Sequence, residues 1–111
     1  MKLSLYNICV PNGSFEQLEF IQKLNGYLID KSDVTSVIVG GDWNCTLTAK
    51  DKKGGSPWRT TSYRNALLST METLDLIDIQ RARHPRLNKF SYTSNALNVK
   101  TRIDFLLISK H

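Results

Sequence analysis

The residues best suited to chemistry are Asp42 and Asn44, two positions apart at the end of Val37-Ile38-Val39-Gly40-Gly41-Asp42-Trp43-Asn44. Ser36 to Val39 reads as a buried strand, and two glycines separate it from the polar tip. With the backbone extended through Trp43, a period of two puts the Asp42 carboxylate and the Asn44 carboxamide on one side and Trp43 on the other. The paired glycines permit a sharp turn or the close approach of a substrate to the backbone. The same composition also suits a plain turn, since Gly, Asp and Asn are the commonest turn formers. A second carboxylate, Asp104, lies in the apolar run Arg102-Ile103-Asp104-Phe105-Leu106-Leu107-Ile108-Ser109. Burying it there requires a partner, either a catalytic histidine, a metal, or Arg102 two residues away on the same face.

The elements that must position these groups follow from periodicity and turn chemistry. Leu3 to Val10 has the composition of a strand and stops at Pro11-Asn12-Gly13. Ser14 and Gln17 form a capping-box pattern, and Phe15, Leu18, Ile21, Leu24 and Leu28 recur at helical spacing. That spacing predicts an amphipathic helix over 15–30, weakened by Gly26. Strand, helix, strand makes a crossover unit, which places the Asp42 strand inside a sheet. Residues 45–61 read as a long basic loop at the strand tip, and loops so placed are more often functional than inert. Trp58 within it can stack on a base or pack under the loop. Thr61 or Ser62 caps a second helix whose apolar stripe is Tyr63, Leu67, Met71 and Leu74. Leu76 to Ile79 is a short strand, and His84-Pro85 enforces an extended or turn conformation. Phe90 to Thr93 alternates as a strand, Ser94 to Val99 forms a polar turn, and Arg102 to Ser109 is the last strand.

A chain of 111 residues with 41% apolar and 23% charged residues fits one small soluble domain. No stretch approaches the roughly 18 apolar residues of a membrane span. The N-terminal sequence lacks the apolar core of a signal peptide, so the nucleus or cytoplasm is expected and secretion is not. Cys9 and Cys45 lack metal-ligand spacing and make no disulfide framework. The net charge of +5 has a place: between Asp78 and Asp104 there is no acidic residue, while Arg81, Arg83, Arg86, Lys89, Lys100 and Arg102 supply six positive charges. The rest of the chain nets −1. Such a segment, interleaved with Phe90 and Tyr92, attracts a phosphate backbone, or is simply a solvated surface loop.

Four motifs stand in a particular order: Asn7-Ile8-Cys9-Val10-Pro11-Asn12, Gly41-Asp42-Trp43-Asn44, Phe90-Ser91-Tyr92 and Arg102-Ile103-Asp104-Phe105. The set resembles the exonuclease, endonuclease and phosphatase superfamily, and within it the endonuclease domain of non-LTR (LINE-type) retrotransposons, over nearly the whole chain. The resemblance implies an α/β fold, a single partial domain over 1–111 in the form of a partial four-layer sandwich of two β-sheets flanked by helices. It implies hydrolysis of a DNA phosphodiester with Mg²⁺. By resemblance, Asp42 orients or deprotonates the attacking water, Asn44 contacts the scissile phosphate, Asp104 orients a general histidine, and Ser91 supports the site or touches phosphate. DNA is the expected partner, with Arg81, Arg83, Arg86, Lys89 and Arg102 as its contacts. These roles suit the chemistry, since water needs a carboxylate neighbour to become a nucleophile and the transition-state charge needs donors and a cation.

The departures carry expectations of their own. Cys9 stands where the family usually has Tyr, which removes a phenolic hydrogen bond to phosphate. The family's metal-binding Glu would lie upstream of Met1, and its Ser-Asp-His motif beyond His111; neither His111 nor His84 matches the family's catalytic histidine. The expectation is a retrotransposon fragment, of the kind encoded beside a reverse transcriptase, that is inactive in isolation. Two alternatives stay open: a degenerate, non-catalytic nucleic-acid-binding domain, and a phosphatase of the same superfamily.

Overall fold

The computed structural model describes residues 3–30 and 36–109. The expectations attached to His111 lie outside the described residues. Strand β1 (Leu3–Cys9) leads into helix α1 (Ser14–Asp30) and then strand β2 (Ser36–Asp42), which lies parallel to β1 with Leu3 opposite Ser36 and Cys9 opposite Asp42. This is the expected crossover. Helix α1 begins one residue earlier than its apolar periodicity indicates. Its first bond runs from Gln17 N to Gly13 O (2.8 Å), so Gly13 takes the N-cap position and not Ser14. Gly26 does not end it.

The stretch after β2 is less irregular than its composition suggests. A 3-10 turn at Ala49–Asp51 runs into the short strand β3 (Lys52–Lys53). Helix α2 (Ser62–Thr73) is capped by Thr61, whose side chain accepts from Arg64 N at 3.1 Å. Its stripe of Tyr63 and Leu67 is buried, with Met71 and Leu74 partly so. Strand β4 (Leu76–Asp78) passes directly into a one-turn helix α3 (Ile79–Arg83), capped by Asp78 and not apparent in the sequence. Strand β5 (Tyr92–Ser94) and the turn after it match the expectation, the added strand β6 (Val99–Thr101) makes them a hairpin, and β7 (Asp104–Ser109) is the last strand.

Two sheets result, one ordered β1-β2-β7-β4 and the other β3-β6-β5. Helices α1 and α2 pack beside each other on one face of the larger sheet, enclosing Ile21, Leu28, Val39, Leu67, Leu76 and Leu107. Strand alternation sends Leu3, Leu5 and Leu106 to the other face, where all three are exposed. The fold is therefore mixed α/β with two sheets flanked by helices, as expected. Among the described residues the larger sheet is covered on one side only. No described helix is long and apolar enough to cross a membrane.

Candidate active site

The end of the central strand β2 is the meeting point of three strands. Asp42 is opposite Cys9 on β1 and opposite Asp104 on the antiparallel β7. Directly opposed residues project to the same face, so Cys9, Asp42 and Asp104 form a row across the sheet, on its open side. The two carboxylates that sequence places sixty-two positions apart are next neighbours in the fold. The geometry depends on Gly41, whose φ of 136° is a conformation for glycine and whose place is pressed against β1. A Cβ there would lie 2.1 Å from Ile8 O.

Asp42 and Asn44 meet by a different route from the one expected. The strand ends at Asp42, and Asn44 has φ 54°, so the period of two does not run on through Trp43. Instead Asp42 Oδ1 accepts from Asn44 N at 2.9 Å, a side-chain turn that fixes one carboxylate oxygen. The Asn44 amide nitrogen donates to Val10 O (3.3 Å), Pro11 O (3.2 Å) and Asn12 Oδ1. Its two hydrogens are thereby committed to the 10–12 segment. Asn44 acts here as a strap between two loops.

Trp43 does turn the other way, and it is the keystone of this corner. It is 1% exposed, stacks on Phe105 with ring centroids 5.5 Å apart, and donates from Nε1 to Phe105 O at 3.0 Å. Its carbonyl accepts from Tyr63 Oη (2.8 Å) and its N–H reaches Ile103 O (2.8 Å). Burial raises the Tyr63 hydroxyl well above its ordinary pKa, so it remains a donor. Trp58 packs under the loop: Arg64 lies over its ring at 4.4 Å and its Nε1 donates to Thr46 Oγ1 at 2.9 Å.

Asp104 corrects the idea of a carboxylate buried in an apolar strand. Its position is exposed, while Phe105 and Leu107 on either side of Leu106 face the core. Ser91 holds it in place: Ser91 Oγ accepts from Ile103 N (2.9 Å) and from Asp104 N (3.1 Å).

Arg102 is not its partner and is not on the surface. It is 2% exposed, with Nε on Asp51 Oδ1 (2.9 Å), Nη2 on Asp78 Oδ2, and its own N–H on Asp51 O (2.8 Å). Arg81 is likewise turned inward, with Nη2 on Asp51 Oδ1 at 2.5 Å and Nη1 on Leu87 O at 2.7 Å. Both guanidiniums are used inside the protein, so two of the five expected DNA contacts drop out. Arg83, Arg86 and Lys89 are exposed. Asp51, wholly buried and bonded to Arg102, carries no local sequence signal. Burial alone would raise its pKa, but the bonds from Arg102 and Arg81 outweigh this and hold the carboxyl below its ordinary range.

A cleft of about 600 Å³ opens beside Asn44, walled by Trp58, Arg59, Arg64, Val99, Thr101 and Ile103. Asp42 and Asp104 do not line it, but each lies within two residues of a side chain that does, Asn44 and Ile103. Among the described residues, no three His, Cys, Asp or Glu side chains are grouped as a metal-binding set.

No family model matches the chain. It is 28% identical over 110 residues to the transposon TX1 uncharacterized 149 kDa protein of Xenopus laevis, covering 97% of this chain and 8% of that protein. It superposes on an AP endonuclease from Archaeoglobus fulgidus with a TM-score of 0.79 at 20% identity, over 96% of this chain and 49% of the other. A 3′ phosphatase from Neisseria, solved with product DNA hairpin, gives 0.77 at 18% identity, over 94% and 47%. The chain spans about half the length of these solved proteins and a small part of the transposon protein. It has the endonuclease/exonuclease/phosphatase fold, and in sequence it is similar to a protein encoded by a transposon.

Proposed function

We propose that this chain is part of a Mg²⁺-dependent DNA endonuclease domain of a non-LTR retrotransposon and supplies the carboxylate corner of its active site. The observation that supports it most is the direct opposition of Asp42 and Asp104 at the open end of β2. One Asp42 oxygen is held by the Asn44 turn, which leaves the other to orient water and take its proton. Asp104, set by Ser91, faces the same solvent-filled space. Mg²⁺ is usually held by one or two carboxylates together with waters and substrate phosphates. Two adjacent carboxylates meet that minimum, so Asp42 and Asp104 would hold the ion, and it would supply charge neutralisation at the phosphate. Cys9, in the same row, offers no phenolic donor.

With no fuller donor group among the described residues, the isolated chain is expected to give no measurable nicking of supercoiled plasmid in Mg²⁺. Its binding carries the test. In EDTA the two carboxylates repel phosphate, so Mg²⁺ should raise DNA affinity, and Asp42→Asn or Asp104→Asn should remove that gain while strengthening binding in EDTA. A Mg²⁺ gain that both variants retain would exclude the hydrolase site. Nicking that Asp42→Ala abolishes would instead show that the chain is active as it stands. A purely nucleic-acid-binding domain is the second reading, supported by the exposed cations Arg83, Arg86 and Lys89, and predicts DNA affinity indifferent to Mg²⁺.

A further inference from the structure

A second groove, of about 450 Å³, lies between the Ala49–Asp51 turn with β3 and the segment after α3. Its walls are Lys50, Lys52, Lys53, Arg86, Leu87 and Asn88. Four of the six carry positive charge, none is acidic, and none is aromatic. Among the described residues no salt bridge is formed by any of the four. Lys53 is moreover directly opposite Lys100 on β6, a like-charge pair that destabilises an antiparallel ladder. The fold thus gathers five exposed or half-exposed cations and leaves them uncompensated.

What gathers them is the buried ion pair already described. Asp51 sits between Lys50 and Lys52 in the chain with its carboxylate turned inward onto Arg81 Nη2. The same Arg81 guanidinium bonds Leu87 O (2.7 Å) and Pro85 O (3.3 Å), and Lys50 Nζ reaches Pro85 O at 3.2 Å. One interior contact therefore draws the Lys50–Lys53 segment and the Arg86 loop to opposite sides of a single groove. Arg81, far from touching a ligand, is a positioning residue for the cations that would. Lys52 also lines the cleft that contains Asn44, so the groove and that cleft share a wall.

We infer that Lys50, Lys52, Lys53 and Arg86, flanked by Lys100, form a track for the phosphate backbone of duplex DNA that continues from the cleft beside Asn44. Naming DNA as the polyanion rests on the function proposed above. Without an aromatic wall the groove has no platform on which to stack an unpaired base. It therefore reads charge spacing and not sequence, and contributes affinity and orientation for the strand leaving the candidate site.

Anisotropy titrations of a fluorescein-labelled duplex in EDTA, across a KCl series, test this. Each lost phosphate contact lowers the slope of log affinity against log salt by about 0.9. The variant Lys50→Gln/Lys53→Gln/Arg86→Gln should lower it by about 2 to 3, equally on two unrelated duplex sequences. Lys23→Gln, on the solvent side of α1, should leave it unchanged. An unaltered slope in the triple variant, an equal loss in Lys23→Gln, or a loss confined to one sequence would each overturn the inference. If Asp42→Asn fails to alter the Mg²⁺ response while the triple variant behaves as stated, the hydrolase reading falls and the track stands.

Discussion

At the scale of single residues, the chemistry of this corner is set by which atoms are already occupied. Asn44 is at the expected position, yet its amide hydrogens are used on the 10–12 segment, which makes it a positioning group for Asp42. Exposure and burial also separate the two thiols. Cys9 is exposed at the end of β1, whereas burial raises Cys45 to about 11. The thiolate is the reactive form, so at a pH near 8 only a trace of Cys45 is available to an alkylating reagent. Iodoacetamide should therefore add rapidly to Cys9 and slowly to Cys45, as read by intact mass against time. Cys9→Ser should abolish the fast phase, and a fast phase that survives in Cys9→Ser would show that the Cys45 environment opens readily.

At the scale of elements, the strands and long helices were legible because their signals are local. The run at β2, the helical spacing in α1 and α2 and the Thr61 cap are properties of neighbouring residues, whereas which strand lies beside which, and so the pairing of Asp42 with Asp104, is not. The turn and strand within 45–61, the short helix α3 and the strand β6 were not legible. They exist because Asp51, Arg81 and Arg102 join parts of the chain thirty and fifty-one positions apart, and Lys-Asp-Lys-Lys reads in sequence as solvated charge. That network makes a definite prediction. Asp51→Ala leaves two inward-facing guanidiniums without this partner, and breaking a buried pair costs about 3–5 kcal/mol. Urea titration should show a loss of that size, while exposed Glu72→Ala changes stability by about 0.5 kcal/mol or less. The pH dependence has a fixed sign. The folded Asp51 pKa lies below its ordinary value, so its contribution is complete above the unfolded pKa of about 4 and disappears as pH falls through the folded one. The native protein should lose stability across that acid range more steeply than Asp51→Ala, and equal slopes would show that the ion pair contributes nothing.

The whole molecule is a thin slab, 45 × 32 × 20 Å, whose short axis is about one sheet plus one layer of helices. Its radius of gyration, 14.2 Å, exceeds the roughly 13 Å expected of a compact chain this long. The cause is the bare side of the larger sheet. Leu5 is 72% exposed there and Leu3 61%, on a seven-residue strand that carries no charge and no proline and is the sheet's edge. An edge of that kind, joined to an apolar face, is a site of non-specific association. The candidate carboxylates lie at one end of this same face, so association would also cover them. Sedimentation velocity on the isolated chain should show concentration-dependent association. Leu5→Lys should suppress it, since a charge on an open face obstructs stacking and leaves the helix-covered side untouched, with unfolding free energy changed by about 0.5 kcal/mol or less. Tyr6→Lys, one residue along but directed at Tyr27 and the core, should instead unfold the protein, because the register that exposes Leu5 buries its neighbour. Association that persists unchanged in a folded Leu5→Lys would place the adhesive surface elsewhere, and the mid-edge of β1 would no longer account for it.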